Sequence, residues 1–234
     1  MPYSQPPKRI TIRYLLNEVL LLVNLEKGLG YTIRQLLLRP LAAVREFLYE
    51  DRQRMMKPFP MLVLMVTVAT FLSLRLLPLG EPLWQDFKED GGADLFPPAV
   101  QEGLHLLTVA MQKYFNVIFV LSLPGQAVGS YLLFRKKGYN FAEHLVINTY
   151  LFCIQTLLYL LVLPLLIWKE AVAGPLLILS IMGYWLYALK RIFQPGWWPL
   201  LWKAAGIALV GQAVTNFLLL AAFLVYWVYQ SILQ

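Results

Sequence analysis

Five separate apolar runs, each long enough to cross a bilayer, dominate this chain, and its basic clusters fall only between alternate runs. The runs are Met61 to Pro78, Tyr114 to Phe134, Leu145 to Trp168, Ala171 to Leu189 and Ala204 to Tyr229. A spanning helix needs about 20 apolar residues, so the pattern predicts an all-α integral membrane protein with five transmembrane helices. Composition agrees: 59% of residues are hydrophobic and only 14% charged, against about 25% charged in a soluble domain. Two parts are expected, a basic amphipathic region over residues 1–60 and a five-span membrane domain over 61–234.

Lys and Arg set the expected orientation. Ten precede the first run, Arg135, Lys136 and Lys137 lie between the second and third, and Lys190, Arg191 and Lys203 lie between the fourth and fifth. The opposite side holds only Lys88, Lys113 and Lys169, and its loop over 79–113 carries Glu81, Asp86, Glu89, Asp90, Asp94 and Glu102. Positive charge marks the cytoplasmic side, so the chain is expected to enter with its N-terminus inside and leave with its C-terminus outside. The net charge of +7 is then a topological signal, and no nucleic-acid partner is expected. No cleavable signal peptide is apparent, and the first span is expected to direct its own insertion.

The first 60 residues mix apolar and basic side chains at helical spacing. Arg13, Asn17 and Glu18 form a polar stripe within Ile10 to Val23. Further helices are predicted over Tyr31 to Leu38 and Leu41 to Asp51, with Gly28 and Gly30 ahead of the first and Pro40 re-aiming the chain between them. Two readings are open. The helices pack under the bundle as a foot, or they lie in the interface plane with the apolar face down and engage anionic lipid through Arg13, Arg34, Arg39, Arg45, Arg54 and Lys57 or dock a partner. Pro58 and Pro60 stiffen the junction to the first span, and foot and span are expected to move as two bodies.

Polar residues inside the runs are few. Arg75 sits near the outer end of the first, where its stem can snorkel. Gln126, Gln155, Gln212 and Asn216 lie deeper and form a candidate intramembrane polar site if they converge; as separate amides they act as glue between helices. Pro124 is expected to kink the second span. Gly125 and Gly129 have the small-xxx-small spacing that permits close helix approach. The external loop is expected to be a solvated turn, with a helix beginning near Ala99 and aromatic residues returning to the interface. Trp197, Trp198 and Trp202 beside Lys203 read as an interfacial anchor.

The turn Gly138-Tyr139-Asn140-Phe141-Ala142-Glu143-His144 is the sharpest local pattern. Asn140 is placed as an N-cap with Glu143 at the third helical position, the arrangement of a capping box. Glu143 and His144 as an acid–base pair or metal ligands are the alternative, but adjacent helical residues point about 100° apart. One cysteine, Cys153, and two distant histidines, His105 and His144, supply no metal cluster or disulfide. No cofactor and no catalytic constellation is expected, and the chain reads as a non-enzymatic scaffold or accessory subunit. Its expected partners are membrane lipids and a membrane protein complex. A small transporter or lipid-translocating protein is the alternative, and an integral-membrane enzyme comes third.

Several segments carry a resemblance: Arg9-Ile10-Thr11-Ile12-Arg13-Tyr14, Lys27-Gly28, Leu37-Leu38-Arg39-Pro40, Val44-Arg45-Glu46-Phe47-Leu48, Arg54 to Pro58, and Phe141-Ala142-Glu143-His144-Leu145. Over residues 8–150 the chain resembles the bacterial membrane family of unknown function 3667, which implies a bacterial inner-membrane protein. Members of that family often carry an N-terminal zinc ribbon with paired cysteines; this chain lacks them, so no zinc role is implied. The family's Gly after the proline is Leu41 here. In topology alone the chain also resembles Yip1-type proteins, which implies membrane organisation or scaffolding.

Overall fold

The computed structural model describes residues 28–77, 82–113 and 115–233. Arg13, Tyr114 and the helix predicted over Ile10 to Val23 lie outside the described residues. No strand occurs among those described.

The foot begins at Gly28, whose positive φ of 114° places it in the left-handed region. A Cβ there would come within 2.9 Å of the Arg54 carbonyl. Helix α1, Leu29–Leu38, ends at Arg39, and Pro40 opens α2, Pro40–Arg45. Proline lacks the amide hydrogen that a first helical residue leaves unbonded anyway, so it restarts the helix in a new direction. The predicted third helix is shorter than expected. After α2 the chain widens into a π-helical turn, Glu46–Glu50, whose last carbonyls are closed by Arg52: its guanidinium donates to the Phe47 oxygen at 3.2 Å and the Leu48 oxygen at 3.1 Å.

Beyond the foot come α3, Pro58–Leu76, then α4, Pro82–Glu89, and α5, Pro98–Lys113, followed by α6, Phe115–Phe134, α7, Phe141–Trp168, α8, Glu170–Phe193, and α9, Trp197–Leu233. Four helices among the described residues are long and apolar enough to cross a membrane: Pro58–Leu76, Phe141–Trp168, Ala171–Phe193 and Trp197–Ala221. Helix α6 occupies the second predicted run. The helices start earlier than the apolar runs did, because backbone hydrogen bonding continues into polar flanks that hydropathy excludes. Asn140 starts α7 and Pro58 starts α3. At 1.5 Å per residue the 37 residues of α9 extend about 55 Å, well beyond an apolar core about 30 Å thick.

Helices α6 and α9 pack closely. A Cβ on Gly125 would lie 2.7 Å from the Val214 Cβ, and one on Gly129 would lie 3.1 Å from the Ile207 Cα. The two glycines thus face α9, as their spacing predicts. Helix α3 joins α7 through Ser73 and Tyr159, whose hydroxyls are 2.6 Å apart.

Foot and bundle share one core. Leu36, Ala43, Val44, Phe47, Met55 and Met56 are buried with Met61, Ile147, Tyr150 and Trp185. Buried polar bonds fasten the joint. The Tyr150 hydroxyl donates to the Met56 carbonyl at 2.7 Å, and the Met56 amide donates to the Thr32 hydroxyl at 2.8 Å. Tyr184 and Tyr187 of α8 donate to the carbonyls of Leu36 and Leu38 at 3.2 and 3.0 Å. Those carbonyls end α1 and have no partner within it.

The loop expected as a solvated turn is a small helical cap. Trp84 of α4 packs on His105 of α5 with ring centroids 5.2 Å apart, and Ala93 between them is fully buried. A Cβ on Gly92 would strike the Phe87 ring.

Candidate functional site

Two places concentrate the polar side chains singled out in the sequence. The first is the start of α7. The Asn140 side chain accepts from the Glu143 amide at 2.9 Å, and the Asn140 amide donates to the Glu143 carboxylate at 2.8 Å, which completes the capping box. The other carboxylate oxygen accepts from the Tyr49 hydroxyl at 2.9 Å, tying the foot to α7.

His144 turns the other way. Its Nδ1 lies 3.0 Å from the Ser130 hydroxyl oxygen, which also accepts from the Asn148 side-chain amide at 2.8 Å. All three residues are buried, and among the described residues the imidazole Nε2 and the Asn148 carbonyl oxygen have no hydrogen-bond partner. The ring lies flat on Phe193 and edge-on to Tyr131 and Tyr139. Glu143 and His144 therefore serve separate contacts and do not face one another as an acid–base pair. Ser130 and Asn148 complete a buried triad with His144 that spacing did not reveal, since Ser130 comes from α6.

The second place is a cleft of about 1050 Å³ between the foot and the far end of α8. The α1–α2 corner, from Leu38 to Ala42, forms one wall. Gly183, Leu186, Tyr187, Lys190, Arg191 and Gln194 form the other, and Trp197 closes one side. Among the described residues no acidic one lines it. Tyr187 joins the walls: its hydroxyl bonds to Leu38, next to Arg39, and its ring lies 5.7 Å under the Arg191 guanidinium. Gln194 ends α8 with a left-handed φ of 47°, which turns the chain towards Pro195; the Pro195 carbonyl accepts from the Lys190 ammonium. Lys190 also sits 4.8 Å over the Trp197 ring.

The predicted headgroup residues separate into distinct settings. Arg34, Arg39, Arg45 and Lys57 are exposed. Arg54 is engaged within the foot, 3.8 Å from Glu46 and 4.5 Å over the Tyr31 ring. The Tyr31 hydroxyl donates to both Glu46 oxygens, at 2.9 and 2.8 Å, and this bond raises the phenol above its ordinary value. Among the described headgroup residues Arg39 alone lines the cleft, where it joins Lys190 and Arg191. Sequence reading counted those two only for topology.

Gln126, Gln212 and Asn216 bond within their own helices. Gln126 donates to the Ser122 hydroxyl at 2.8 Å and packs against Gly211 of α9. Gln212 donates to Asn216 at 2.8 Å, and both are exposed. Gln155 is half-buried on α7. No hydrogen bond joins Gln126 or Gln155 to the Gln212–Asn216 pair among the described residues.

Residues 26–70 match the model of a family described as a protein of unknown function (DUF3667). The likeness extends over this segment of the chain. The matched segment holds α1, α2, the π-helical turn and most of α3, so it includes Gly28, Thr32, Arg39, Met56 and the start of the bundle. No curated protein matches the chain, and no solved structure matches it.

Proposed function

We propose that the chain is a non-enzymatic, multi-pass scaffold or accessory subunit of the bacterial inner membrane. It has five spans, with the N-terminus inside and the C-terminus outside, and its foot engages anionic lipid and a membrane protein complex. The helix Phe115–Phe134 supplies the fifth span. The observation that carries the lipid reading is the orientation of the foot. Its apolar face is buried in the shared core, while Arg34, Arg39, Arg45 and Lys57 are exposed. Attraction to headgroups then rests on charge, at about 1 kcal/mol for each basic residue near the surface, without insertion of the foot's buried apolar face. The basic clusters lie at the same end of the bundle, since Tyr49 reaches Glu143 and Lys203 stands 4.5 Å over the Phe134 ring. A Yip1-type organisation is in keeping with this arrangement.

Because the foot shares its core with the bundle, the test uses the full chain. Polymer-bounded discs are cut from vesicles containing equal phosphatidylglycerol and phosphatidylcholine, and the co-extracted lipid is quantified. Phosphatidylglycerol should exceed the bulk ratio, and the excess should fall when Arg34, Arg45 and Lys57 are changed to Gln. An unchanged ratio removes the lipid part. Discs cut from native membranes test the other part by mass spectrometry: a stoichiometric protein supports a subunit role. Recovery of the chain with one enriched small solute favours the transporter reading.

A further inference from the structure

We infer that the cleft between the α1–α2 corner and the end of α8 is a binding site for one anionic phospholipid, a proposal that rests on the lipid reading above and assigns it a stoichiometric site. Three cations, Arg39, Lys190 and Arg191, border the cleft, and among the described residues no acidic one does. Among the described residues none of the three has a carboxylate within ion-pair distance, the one such pair being Arg54 with Glu46. Guanidinium groups pair with phosphate oxygens in bidentate fashion, and an ammonium adds a point charge. Basic pockets between helices at the cytoplasmic face of membrane proteins hold phosphorylated headgroups in this manner.

The walls suit the rest of the molecule. Leu41 and Leu186 are apolar, and Trp197, which also lines the cleft, is exposed, as suits an indole at the headgroup level. The volume, about 1050 Å³, is just above the range of about 300–1,000 Å³ for small-molecule sites. A soluble anion would use the cations and leave the leucine wall wet. A phospholipid covers both, and this combination of charge and apolar wall decides between them.

The full chain in mild detergent is mixed with phosphatidylglycerol or phosphatidylcholine and examined by native mass spectrometry. One phosphatidylglycerol should remain bound, and phosphatidylcholine should not. Changing Lys190 and Arg191 to Gln should weaken retention by about tenfold or more, as expected from the loss of charge-assisted bonds. Neither residue belongs to the foot, so this result is separable from the disc measurement. If the variant fails to fold, Gly183→Trp serves instead. A Cβ at Gly183 meets nothing within 4 Å, so a large side chain can fill the cleft without displacing the core. Loss of the lipid in Gly183→Trp supports the site. Equal retention of the two lipids, or retention unchanged in either folded variant, overturns it. Displacement of the lipid by millimolar inorganic phosphate assigns the cations to a soluble anion and overturns it as well. Enrichment in discs without a retained lipid defeats this inference alone, whereas a retained lipid without enrichment defeats the broader reading of the foot.

Discussion

The imidazole of His144 lies flat against the ring of Phe193, with centroids 5.3 Å apart and planes 7° apart. Phe193 in turn stacks on Phe134 at 4.3 Å, and the Lys203 ammonium caps that ring. One column of side chains thereby joins α6, α7, α8 and α9. Phe193→Ala should destabilise the bundle by about 3–5 kcal/mol, the usual cost of deleting a buried aromatic ring. Trp198→Ala, on an exposed surface, should cost far less. Reversible unfolding in mixed micelles measures both, and similar losses would show that the column is not a fastening point.

The foot should detach when its buried polar joint is cut. Tyr150→Phe leaves the Met56 carbonyl without its partner, and Thr32→Val does the same to the Met56 amide. A buried polar group left unsatisfied costs about 1–3 kcal/mol. The double variant should therefore be cleaved faster between residues 51 and 57 in limited proteolysis. Cleavage at the wild-type rate would contradict the latch.

Close approach of α6 and α9 predicts intolerance to size at Gly125. Gly125→Val should cost about 1–3 kcal/mol through overpacking, because even a Cβ would stand 2.7 Å from that of Val214. Removing the opposing Cβ with Val214→Gly should restore part of the loss to Gly125→Ala. A double-mutant cycle with no coupling would mean the two positions do not meet.

Asn140→Ala should remove about 1 kcal/mol by opening the N-terminus of α7, whereas Asn140→Asp should retain most of the cap. Glu143→Gln should be nearly neutral, since glutamine also closes a capping box. A large loss in Glu143→Gln alone would point to a role for the charge itself.

Local patterns were legible where their cause is local. The cap at Asn140, the break at Pro40 and the glycine face of α6 each follow from the chemistry of a few neighbouring residues. The extent of α9 was not, because helical hydrogen bonding passes through Trp197 to Lys203 without regard to hydropathy. The deep amides were visible as residues, but not their partners: Gln126 turns to Ser122 on its own helix.

The sequence by itself determined the membrane-helical class and the segregation of basic charge, since bilayer thickness and the cost of exposing backbone to lipid act on every segment separately. Tertiary structure alone decided that the foot buries its apolar face on α7 and α8. It also brought Arg39 to the cleft that Lys190 and Arg191 line, across about 150 residues of chain. Hydrophobic periodicity records that a face must be covered but not by what, because apolar burial is non-directional. The partner is chosen by shape and by the few buried hydrogen bonds, such as those of Tyr150 and Tyr187, that the folded chain alone can form.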